Sequence, residues 1–368
     1  MCNGRLFVLV FACVCAAQAR CLYSNGGPYP VSTLSPLYRR FRRSAWMIPL
    51  LALLGVVAVN LLCLFGARLL ASYGFWQENK VWKGLLLDVQ SPPPDVVIVG
   101  SSRTLNQFDT VLMNRSGMRF FNFGIPEVLP DEMPGVLERA ARRAQRTVVI
   151  PVPAQFLFSA PSCPRMWTWD DLRFYAFHAP QCVGSLSLSD WFGLLPINTL
   201  FTAVTPDIRA LPCRRAGLAD ELARLGAVLG GNPCDDPRRP MLLRGNAQRS
   251  VVVYANGDGV IVSTSTTDWQ QQVVWRDRRD EAYDSERVAQ LRNLIAIVRG
   301  HGKEPVLLIE PDPIEHSLIR QDLGALLGVR TLYLNEWTFG NDEIADLHHL
   351  NRKGGVRVSQ YVANELLP

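Results

Sequence analysis

The sequence predicts an α/β domain with a mostly parallel sheet, preceded by one transmembrane helix. Short apolar runs typical of buried strands alternate with segments of helical periodicity, and this alternation favours a parallel sheet. The stretch from Ala45 to Ala67 holds no charged residue, and about 20 apolar residues span a bilayer as a helix. The 368 residues, 48% hydrophobic and 19% charged, suffice for one large domain or two modest ones.

Arginines flank the apolar stretch unequally, and this predicts its orientation. Four of them precede it, whereas Arg68 alone follows it closely; the four are Arg39, Arg40, Arg42 and Arg43. Because positive residues stay on the cytoplasmic side, we expect a cytoplasmic amino terminus and a single span over residues 45–70. The remainder then lies outside, in the periplasm of a bacterium, anchored to its inner membrane. The formal charge of +5 is small and comes largely from these arginines, so no nucleic-acid partner is expected.

The first 44 residues allow three interpretations. Leu6 to Ala19 is apolar and ends in Ala-Gln-Ala, which resembles a secretory signal with its cleavage site. A cleaved signal conflicts with the orientation given by the arginines, so an unstructured extension, or a translation start at Met47, remains open. Residues 71–94 are expected to form a linker, which ends in three prolines, and residues 95–368 the exported domain.

The exported domain is interrupted by a cysteine-containing insertion at about residues 153–249. An even number of cysteines in an exported segment suggests two disulfides with three possible pairings; the four are Cys163, Cys182, Cys213 and Cys234. No close Cys-x-x-Cys spacing or histidine cluster accompanies them, so no metal site is predicted. The aromatic residues of the insertion are interpreted as packing around the disulfides rather than as a sugar platform; they are Trp167, Trp169, Phe174, Tyr175 and Phe177.

Strand and helix signals flank the insertion on both sides. The predicted strands are Val96–Val99, Arg119–Phe123, Thr147–Val152, Pro305–Ile309 and Arg330–Leu334, with a hairpin of Ser250–Tyr254 and Val260–Ser263 around Asn256–Gly259. The predicted helices cover residues 131–144, a segment capped by Ser285 that contains Val288 to Val298, and Gly355–Leu366. No internal repeat interrupts this order.

Two motifs at opposite ends of this pattern predict one active site. The first strand ends in Gly100-Ser101-Ser102-Arg103, which leaves a serine at the carboxyl edge of the sheet, where open α/β sheets bind ligands. Near the carboxyl terminus stands Asp346-x-x-His349-Leu-Asn-x-x-Gly354. A nucleophilic serine needs a base and a carboxylate that orients it, and this second motif supplies both.

These motifs resemble those of the SGNH/GDSL hydrolase superfamily. The nearer likeness is to its membrane-anchored "GSSR" branch, which includes proteins similar to those of teichoic-acid D-alanylation and alginate O-acetylation. The resemblance covers residues 95–152 and 284–366. It implies a three-layer α/β/α domain without a cofactor, in which Ser102 is the nucleophile, His349 the base and Asp346 its orienting carboxylate. His348 is the competing base, but His349 with Leu350 and Asn351 fits the family pattern better.

The resemblance also implies where the oxyanion is held. Phe121-Asn122-Phe123-Gly124 corresponds to the family's second block, so the amides of Gly124 and Ser102 are the expected donors. The family's third block is replaced by Ile150-Pro-Val-Pro-Ala-Gln155, where Gln155 is the only substitute for the expected asparagine.

Residues beside these motifs are candidates for binding the substrate: Ser101, Arg103, Asn122, Gln155 and His348. Asp312 and His316 follow the fourth strand and could line the pocket, although a lone histidine there favours a surface position. The resemblance implies O-acetylation, or deacetylation, of a cell-envelope or exported polysaccharide through a Ser102 acyl-enzyme. A multi-spanning membrane acyltransferase is a possible partner. The alternative is a catalytically inactive protein that binds glycan or scaffolds an envelope complex.

Overall fold

A computed structural model of the protein describes residues 50, 51, 53–67, 80–126, 128–165, 167–195, 240–245, 249–254, 256–263 and 267–367. The labelled helices are α1 (Lys80–Asp88), α2 (Ser102–Gln107), α3 (Thr110–Met113), α4 (Pro134–Arg143), α5 (Trp169–His178), α6 (Pro180–Gly184), α7 (Leu188–Gly193), α8 (Ser285–Gly300), α9 (Leu323–Leu327) and α10 (Arg352–Leu366). The strands are β1 (Val96–Gly100), β2 (Phe120–Gly124), β3 (Thr147–Pro153), β4 (Pro240–Gly245), β5 (Arg249–Tyr254), β6 (Gly259–Ser263), β7 (Val274–Asp277), β8 (Glu304–Glu310), β9 (Glu315–Leu318), β10 (Arg330–Tyr333), β11 (Ile344–Asp346) and β12 (His349–Leu350).

Five strands form the central sheet in the order β10-β8-β3-β1-β2, and every neighbouring pair is parallel. The predicted α/β class with a parallel sheet is therefore confirmed. β1, β2 and β3 are buried along their whole length, which explains why they read as continuous apolar runs rather than as alternating ones. The carboxyl ends of all five strands meet at one edge of the sheet.

Helices cover both faces of this sheet and complete three layers. On one face, α1, α4 and α8 pack on alternate sheet residues such as Val97, Val148 and Leu307. On the other face, α10 packs on Val96, Ile98 and their neighbours, together with residues of the segment after α2. The helix α8 is capped by Asp284, whose side chain accepts from the Arg287 amide, so the predicted cap at Ser285 is displaced by one residue.

The expected linker at residues 71–94 contains a core helix. In α1, Trp82 and Leu87 are 0% exposed, and Lys80 and Lys83 are buried beside them. The Lys80 ammonium lies 2.7 Å from Glu132 and 3.0 Å from Asp171, and Lys83 donates to the Gly257 carbonyl. These lysines break the apolar pattern that would have signalled a buried helix, and this is why the sequence suggested a connector.

The apolar amino-terminal stretch is only partly described. Residues 50, 51 and 53–67 are helical, but 45–49, 52 and 68–70 of the predicted span lie outside the described residues. No helix in the part of the chain that the structure describes is both long enough and apolar enough to cross a membrane, so the predicted transmembrane helix is not found there.

The predicted insertion and the residues after it, up to Ser263, contain helices, a disulfide and an antiparallel sheet. Cys163 and Cys182 form a disulfide, as one of the three predicted pairings requires, while Cys213 and Cys234 lie outside the described residues. Strands β4, β5 and β6 form an antiparallel sheet, and the predicted hairpin of β5 and β6 is confirmed. Gly257 in its turn has φ of +98°, a conformation that favours glycine.

Candidate active site

The turn from β1 into α2 sets Ser102 at the carboxyl edge of the sheet. β1 ends at Gly100, and Ser101 is the extended N-cap residue of α2, with its Oγ 3.2 Å from the Arg103 amide that donates to it. Ser102 is therefore the first residue of the helix, and it is the half-buried residue in a turn whose other members are buried. A serine in this position can present its hydroxyl to a ligand.

The second motif forms a short hairpin that is held by the core. In the antiparallel pair of β11 and β12, Asp346 lies opposite His349. Ile344 and Leu350 on the same strands are buried, and this fixes the hairpin against the domain. The following Asn351 caps α10 by accepting from the amides of Lys353 and Gly354.

Helix α10 packs directly on the segment that carries Ser102. The Ser359 hydroxyl accepts from the Asp109 amide at 2.9 Å, donates to the Gly355 carbonyl of its own helix at 2.7 Å, and lies 3.1 Å from the Gln107 carbonyl oxygen. A Cβ at Gly355 would lie 3.2 Å from the Gln107 carbonyl oxygen, so this glycine permits the close approach. The carboxyl-terminal helix thus holds the hairpin and the serine turn in one rigid arrangement.

The three residues predicted to act together form a continuous hydrogen-bonded chain. Ser102 Oγ lies 2.9 Å from His349 Nε2, and His349 Nδ1 lies 2.8 Å from Asp346 Oδ1. The side chains of His349 and Asp346 are 15% and 22% exposed, so these hydrogen-bonded side chains are partly accessible to solvent. With its proton on Nδ1, the ring donates to Asp346 and leaves Nε2 to accept from the serine hydroxyl.

Among the described residues, no hydrogen bond joins the side chain of His348, the competing base, to this chain. The residue is exposed, and its backbone amide donates to Asp346 Oδ1 at 2.9 Å. The same carboxylate oxygen therefore receives the His348 amide and the His349 ring. This double contact fixes the carboxylate, and it gives His348 a backbone role in place of a side-chain one.

Gly124 and Asn122 have structural contacts that differ from their predicted roles. The Gly124 amide donates to Asn122 Oδ1 at 2.8 Å, so it is occupied and does not act as an oxyanion donor here. Asn122 is 0% exposed, and its Nδ2 donates to the carbonyls of Thr104, Leu105 and Phe108 at 3.0–3.1 Å. A Cβ at Gly124 would lie 2.1 Å from the Leu105 nitrogen, so glycine is required for this approach. The pair clamps the carboxyl end of α2.

Two other candidate binding residues are Ser101 and Gln155. Ser101 uses its hydroxyl to cap α2, as described above, and it is 8% exposed. Gln155 is half-buried in a turn of 3-10 helix directly after β3, next to the end of β1. It therefore keeps a position at the ligand-binding edge, although no hydrogen bond among the described residues joins it to the triad.

Two contacts that the sequence did not predict tie α2 to the end of β8. Arg103 Nη2 lies 2.5 Å from Asp312 Oδ2, and the Thr104 hydroxyl donates to Glu310 Oε1 at 3.1 Å. Both contacts cross over the end of β3, because β3 lies between β1 and β8. Asp312 also accepts from the amides of Ile314 and Glu315 at 3.0 and 2.9 Å. The turn that carries Ser102 is thereby held by the end of β8 as well as by α10.

Burial changes the pKa values of two residues at and beyond the end of β8, Glu310 and His316. Glu310 is 2% exposed, and desolvation raises its pKa to about 6, although the Arg103 charge and the Thr104 hydroxyl oppose the rise. His316 is buried in β9 at 1% exposed, against the predicted surface position, and desolvation lowers its pKa. Its ring stacks on Trp275 at 4.5 Å between centroids.

Comparisons with known proteins do not add a family. No protein-family model matches the sequence, and no curated protein matches it either. Among the described residues, no group of three or more His, Cys, Asp and Glu side chains is arranged to hold a metal ion.

Proposed function

We propose that the protein is a serine acyl-transfer enzyme. The observation that carries this proposal is the chain from the Ser102 hydroxyl through His349 to Asp346, with both links between 2.8 and 2.9 Å. This arrangement of hydroxyl, imidazole and carboxylate activates serine on unrelated folds, and it is recognised by geometry rather than by sequence position.

In the first half-reaction, Ser102 Oγ attacks the acyl carbonyl while its proton passes to His349 Nε2. The carbonyl electrons move onto oxygen, and the Ser102 amide at the start of α2 is the donor available to that oxyanion. When the oxyanion collapses, the bond to the alcohol breaks and His349 returns the proton to the leaving oxygen. The product is a Ser102 ester, and Asp346 stabilises the imidazolium throughout.

In the second half-reaction, another hydroxyl attacks the ester with His349 as the base. Water gives an esterase, whereas a sugar hydroxyl gives a transferase, and both regenerate the serine. The resemblance of the Gly100–Arg103 and Asp346–Gly354 motifs to SGNH/GDSL proteins of the membrane-anchored branch supports acetyl as the acyl group. It also supports a polysaccharide of the cell envelope, or an exported one, as the acceptor or donor.

We further propose that the apolar stretch at residues 45–67 anchors the domain to the bacterial inner membrane, facing the periplasm. The stretch has no charged residue, and most of its described leucines are exposed, as with Leu51 at 60% and Leu62 at 69%, whereas Leu64 is half-buried. A multi-spanning membrane acyltransferase that supplies acyl groups would then be the partner. Extraction from membranes by detergent but not by high salt is the expected result, and release by salt alone would refute the anchor.

A second candidate function is favoured by one observation. Because the Gly124 amide is occupied by Asn122, the site offers fewer oxyanion donors than the resemblance implies. The protein would then be a catalytically inactive relative that binds glycan or scaffolds an envelope complex.

Turnover of an acetyl ester separates the two candidates. The wild-type domain should release acetate from 4-nitrophenyl acetate and from an acetylated polysaccharide such as acetyl-xylan, whereas Ser102→Ala should not. A wild-type rate equal to that of Ser102→Ala on both substrates would favour the inactive relative.

A further inference from the structure

The candidate nucleophile, Ser102, stands on a helix of only six residues, α2. Isolated helices shorter than about 12 residues are marginal in water, so contacts from outside the helix must fix the direction of the serine. The end of β8 and the helix α10 supply part of these contacts. Another part comes from the hairpin of β5 and β6, which lies in the chain between the two triad motifs and has no place in the proposed chemistry.

The peptide group that joins Ser102 to Arg103 is held at both ends by side chains. Its N–H donates to Ser101 Oγ at 3.2 Å, and its carbonyl accepts from Asn106 Nδ2 at 2.7 Å. Because this peptide group is bonded directly to the Ser102 Cα, holding it fixes the direction of the Cα–Cβ bond. The position from which Ser102 Oγ meets His349 is fixed with it.

Asn106 is a buried side chain whose hydrogen bonds are incomplete. It is 7% exposed, and among the described residues the Ser102 carbonyl is the one partner of its side chain, while Oδ1 has none. Leaving a buried acceptor unpaired is unfavourable, so stability alone does not explain an asparagine at this position. What an asparagine provides here, and an apolar residue of similar size would not, is the bond to Ser102.

The first residue of β6 lies directly against Asn106. A Cβ at Gly259 would lie 2.8 Å from Asn106 Oδ1 and 2.9 Å from Leu105 Cγ, which is closer than a Cβ comes to other atoms in proteins. The glycine thus lets the backbone of β6 pack on α2 and fill the space into which the Asn106 side chain would otherwise turn. Strand β6 also packs on β11, the strand that ends at Asp346, so the hairpin contacts both halves of the triad.

The turn of this hairpin, residues 256–259, is fixed to the domain on two sides. Asp258 is 0% exposed, and its Oδ2 accepts from the Thr110 amide at 3.1 Å and from the Thr110 hydroxyl at 2.9 Å. Thr110 begins α3, just after α2 ends. On the other side, Lys83 of α1 donates to the Gly257 carbonyl. These contacts hold the turn in place relative to α2.

We infer that the hairpin of β5 and β6 positions the nucleophile, and that Asn106 is the positioning residue through which it acts. This inference rests on the proposed function, and it gives the hairpin a role in it. The turn holds β6 against Asn106, and Asn106 holds the peptide group of Ser102. Because a misplacement of about 1 Å can lower a rate 10^2-fold, losing this contact slows acyl transfer and leaves substrate binding largely intact.

Two substitutions of nearly equal size separate the hydrogen bond from packing. On a helix, a threonine hydroxyl can donate to the carbonyl four residues earlier, so Asn106→Thr restores a bond to Ser102, whereas Asn106→Val does not. In the full-length protein with 4-nitrophenyl acetate, Asn106→Val should lower kcat about tenfold and leave KM within about twofold of wild type. Asn106→Thr should recover most of the loss. Equal kcat values for the two variants would overturn the inference.

The contribution of the hairpin is tested at Gly259. Gly259→Ala places a methyl group against Asn106 Oδ1 and should lower kcat about fivefold, whereas in an Asn106→Ala background it should cost less than about twofold. Gly300→Ala is the matched control, since a Cβ there has nothing within 4 Å, and it should leave kcat unchanged. Equal losses from Gly259→Ala in both backgrounds would show that the hairpin does not act through Asn106.

Hydrogen exchange of the amides of residues 101–107 gives a readout that needs no turnover. Exchange there should be at least about threefold faster in Asn106→Val and in Gly259→Ala than in wild type, and unchanged in Gly300→Ala. Faster exchange in these variants, with wild-type turnover no higher than that of Ser102→Ala, would keep the positioning contact and refute the enzyme. Unchanged exchange, with wild-type turnover present, would overturn the inference and leave the proposed function standing.

Discussion

Two clusters of polar side chains in this protein differ in their access to solvent and in how their hydrogen bonds are used. The triad of Ser102, His349 and Asp346 is a linear chain whose members are half-buried. The second cluster, which we call the anchor network, consists of Lys80, Asp131, Glu132, Asp171 and Arg287, and each of its ionic side chains is 5% exposed or less.

In the anchor network, the carboxylates are surrounded by donors. Asp131 Oδ1 accepts from Arg287 Nη1 at 2.6 Å and from Gln290 Nε2 at 2.9 Å, and its other oxygen accepts from the Ser162 hydroxyl. Asp171 accepts from Lys80, from the Gly135 amide and from Thr168. These contacts join the start of the insertion to α1, α4 and α8, so the network binds segments of the chain to one another.

The comparison teaches that burial with complete pairing marks a structural cluster, whereas a hydroxyl left reachable at the end of a chain marks a reactive one. The sequence alone does not distinguish the ionic residues of one cluster from those of the other. The following variants test whether activity and stability divide between the two clusters as their contacts suggest.

The largest effect is expected on turnover from the triad. His349→Ala should lower kcat/KM for an acetyl ester roughly 10^4-fold, because the serine loses its base. His348→Ala, its matched control, should retain activity within about threefold, since that side chain is exposed and its backbone amide makes the contact to Asp346. A larger loss in His348→Ala than in His349→Ala would reverse the assignment of the base.

The next effect is expected on stability from the anchor network. Arg287→Met leaves the buried Asp131 carboxylate without its cation, and breaking a buried pair in this way costs about 3–5 kcal/mol. Arg330→Met, which breaks the half-exposed pair with Glu365, should cost no more than about 1 kcal/mol. Urea denaturation of the two variants measures the difference, and equal midpoints would contradict the structural role of the network.

Asn122 lies close to the triad but should behave like a member of the anchor network. Asn122→Leu removes the donor of three carbonyls and the acceptor of the Gly124 amide, and the unfolding free energy should fall by about 3 kcal/mol. Gln155→Ala, at the same edge of the sheet, should change it by no more than about 0.5 kcal/mol. A stable Asn122→Leu protein with a raised KM would instead restore the predicted binding role.

Glu310 gives the smallest effect, and it depends on pH. Because burial raises its pKa from 4.5 to about 6, the native state holds the proton more tightly than the unfolded state. Its contribution to stability is therefore present below pH 4.5 and is lost as the pH rises through 6.

Glu310→Gln removes this dependence. Relative to wild type, the variant should gain about 2 kcal/mol of stability on going from pH 4 to pH 7.5, as a shift of this size implies. Denaturation curves at the two pH values provide the measurement. A stability difference that is constant with pH would show that the Glu310 carboxyl titrates normally.

The sequence predicted the strands that are buried on both faces and the residues of the triad. Apolar runs such as Val96–Val99 have few alternatives, and Ser102 and His349 were predicted from the serine turn after a strand and from the Asp346-x-x-His349 motif. The hydrogen-bonded state of the Gly124 amide could not be predicted from the sequence. Whether its amide is free depends on the rotamer of Asn122, which is a matter of tertiary packing.

For a related reason, the sequence did not predict the helix α1 or the contacts between α2 and the end of β8. Lys80 and Lys83 suggest a solvated segment until their partners at Glu132 and Gly257 are known, and those partners are far away in the sequence. Likewise, Glu310 and Asp312 read as polar residues after a strand, and only the strand order shows that they cross over β3 to α2. Long-range pairing of charges leaves no periodic signal.

The central claim is that Ser102 is a nucleophile activated by His349. A fluorophosphonate probe, followed by mass spectrometry of the labelled peptide, tests it most directly. We predict that the wild-type protein carries the phosphonate on Ser102, that His348→Ala is labelled at a similar rate, and that His349→Ala and Ser102→Ala are not labelled. A wild-type protein left unlabelled at Ser102, or labelling that persists in His349→Ala, would contradict the account.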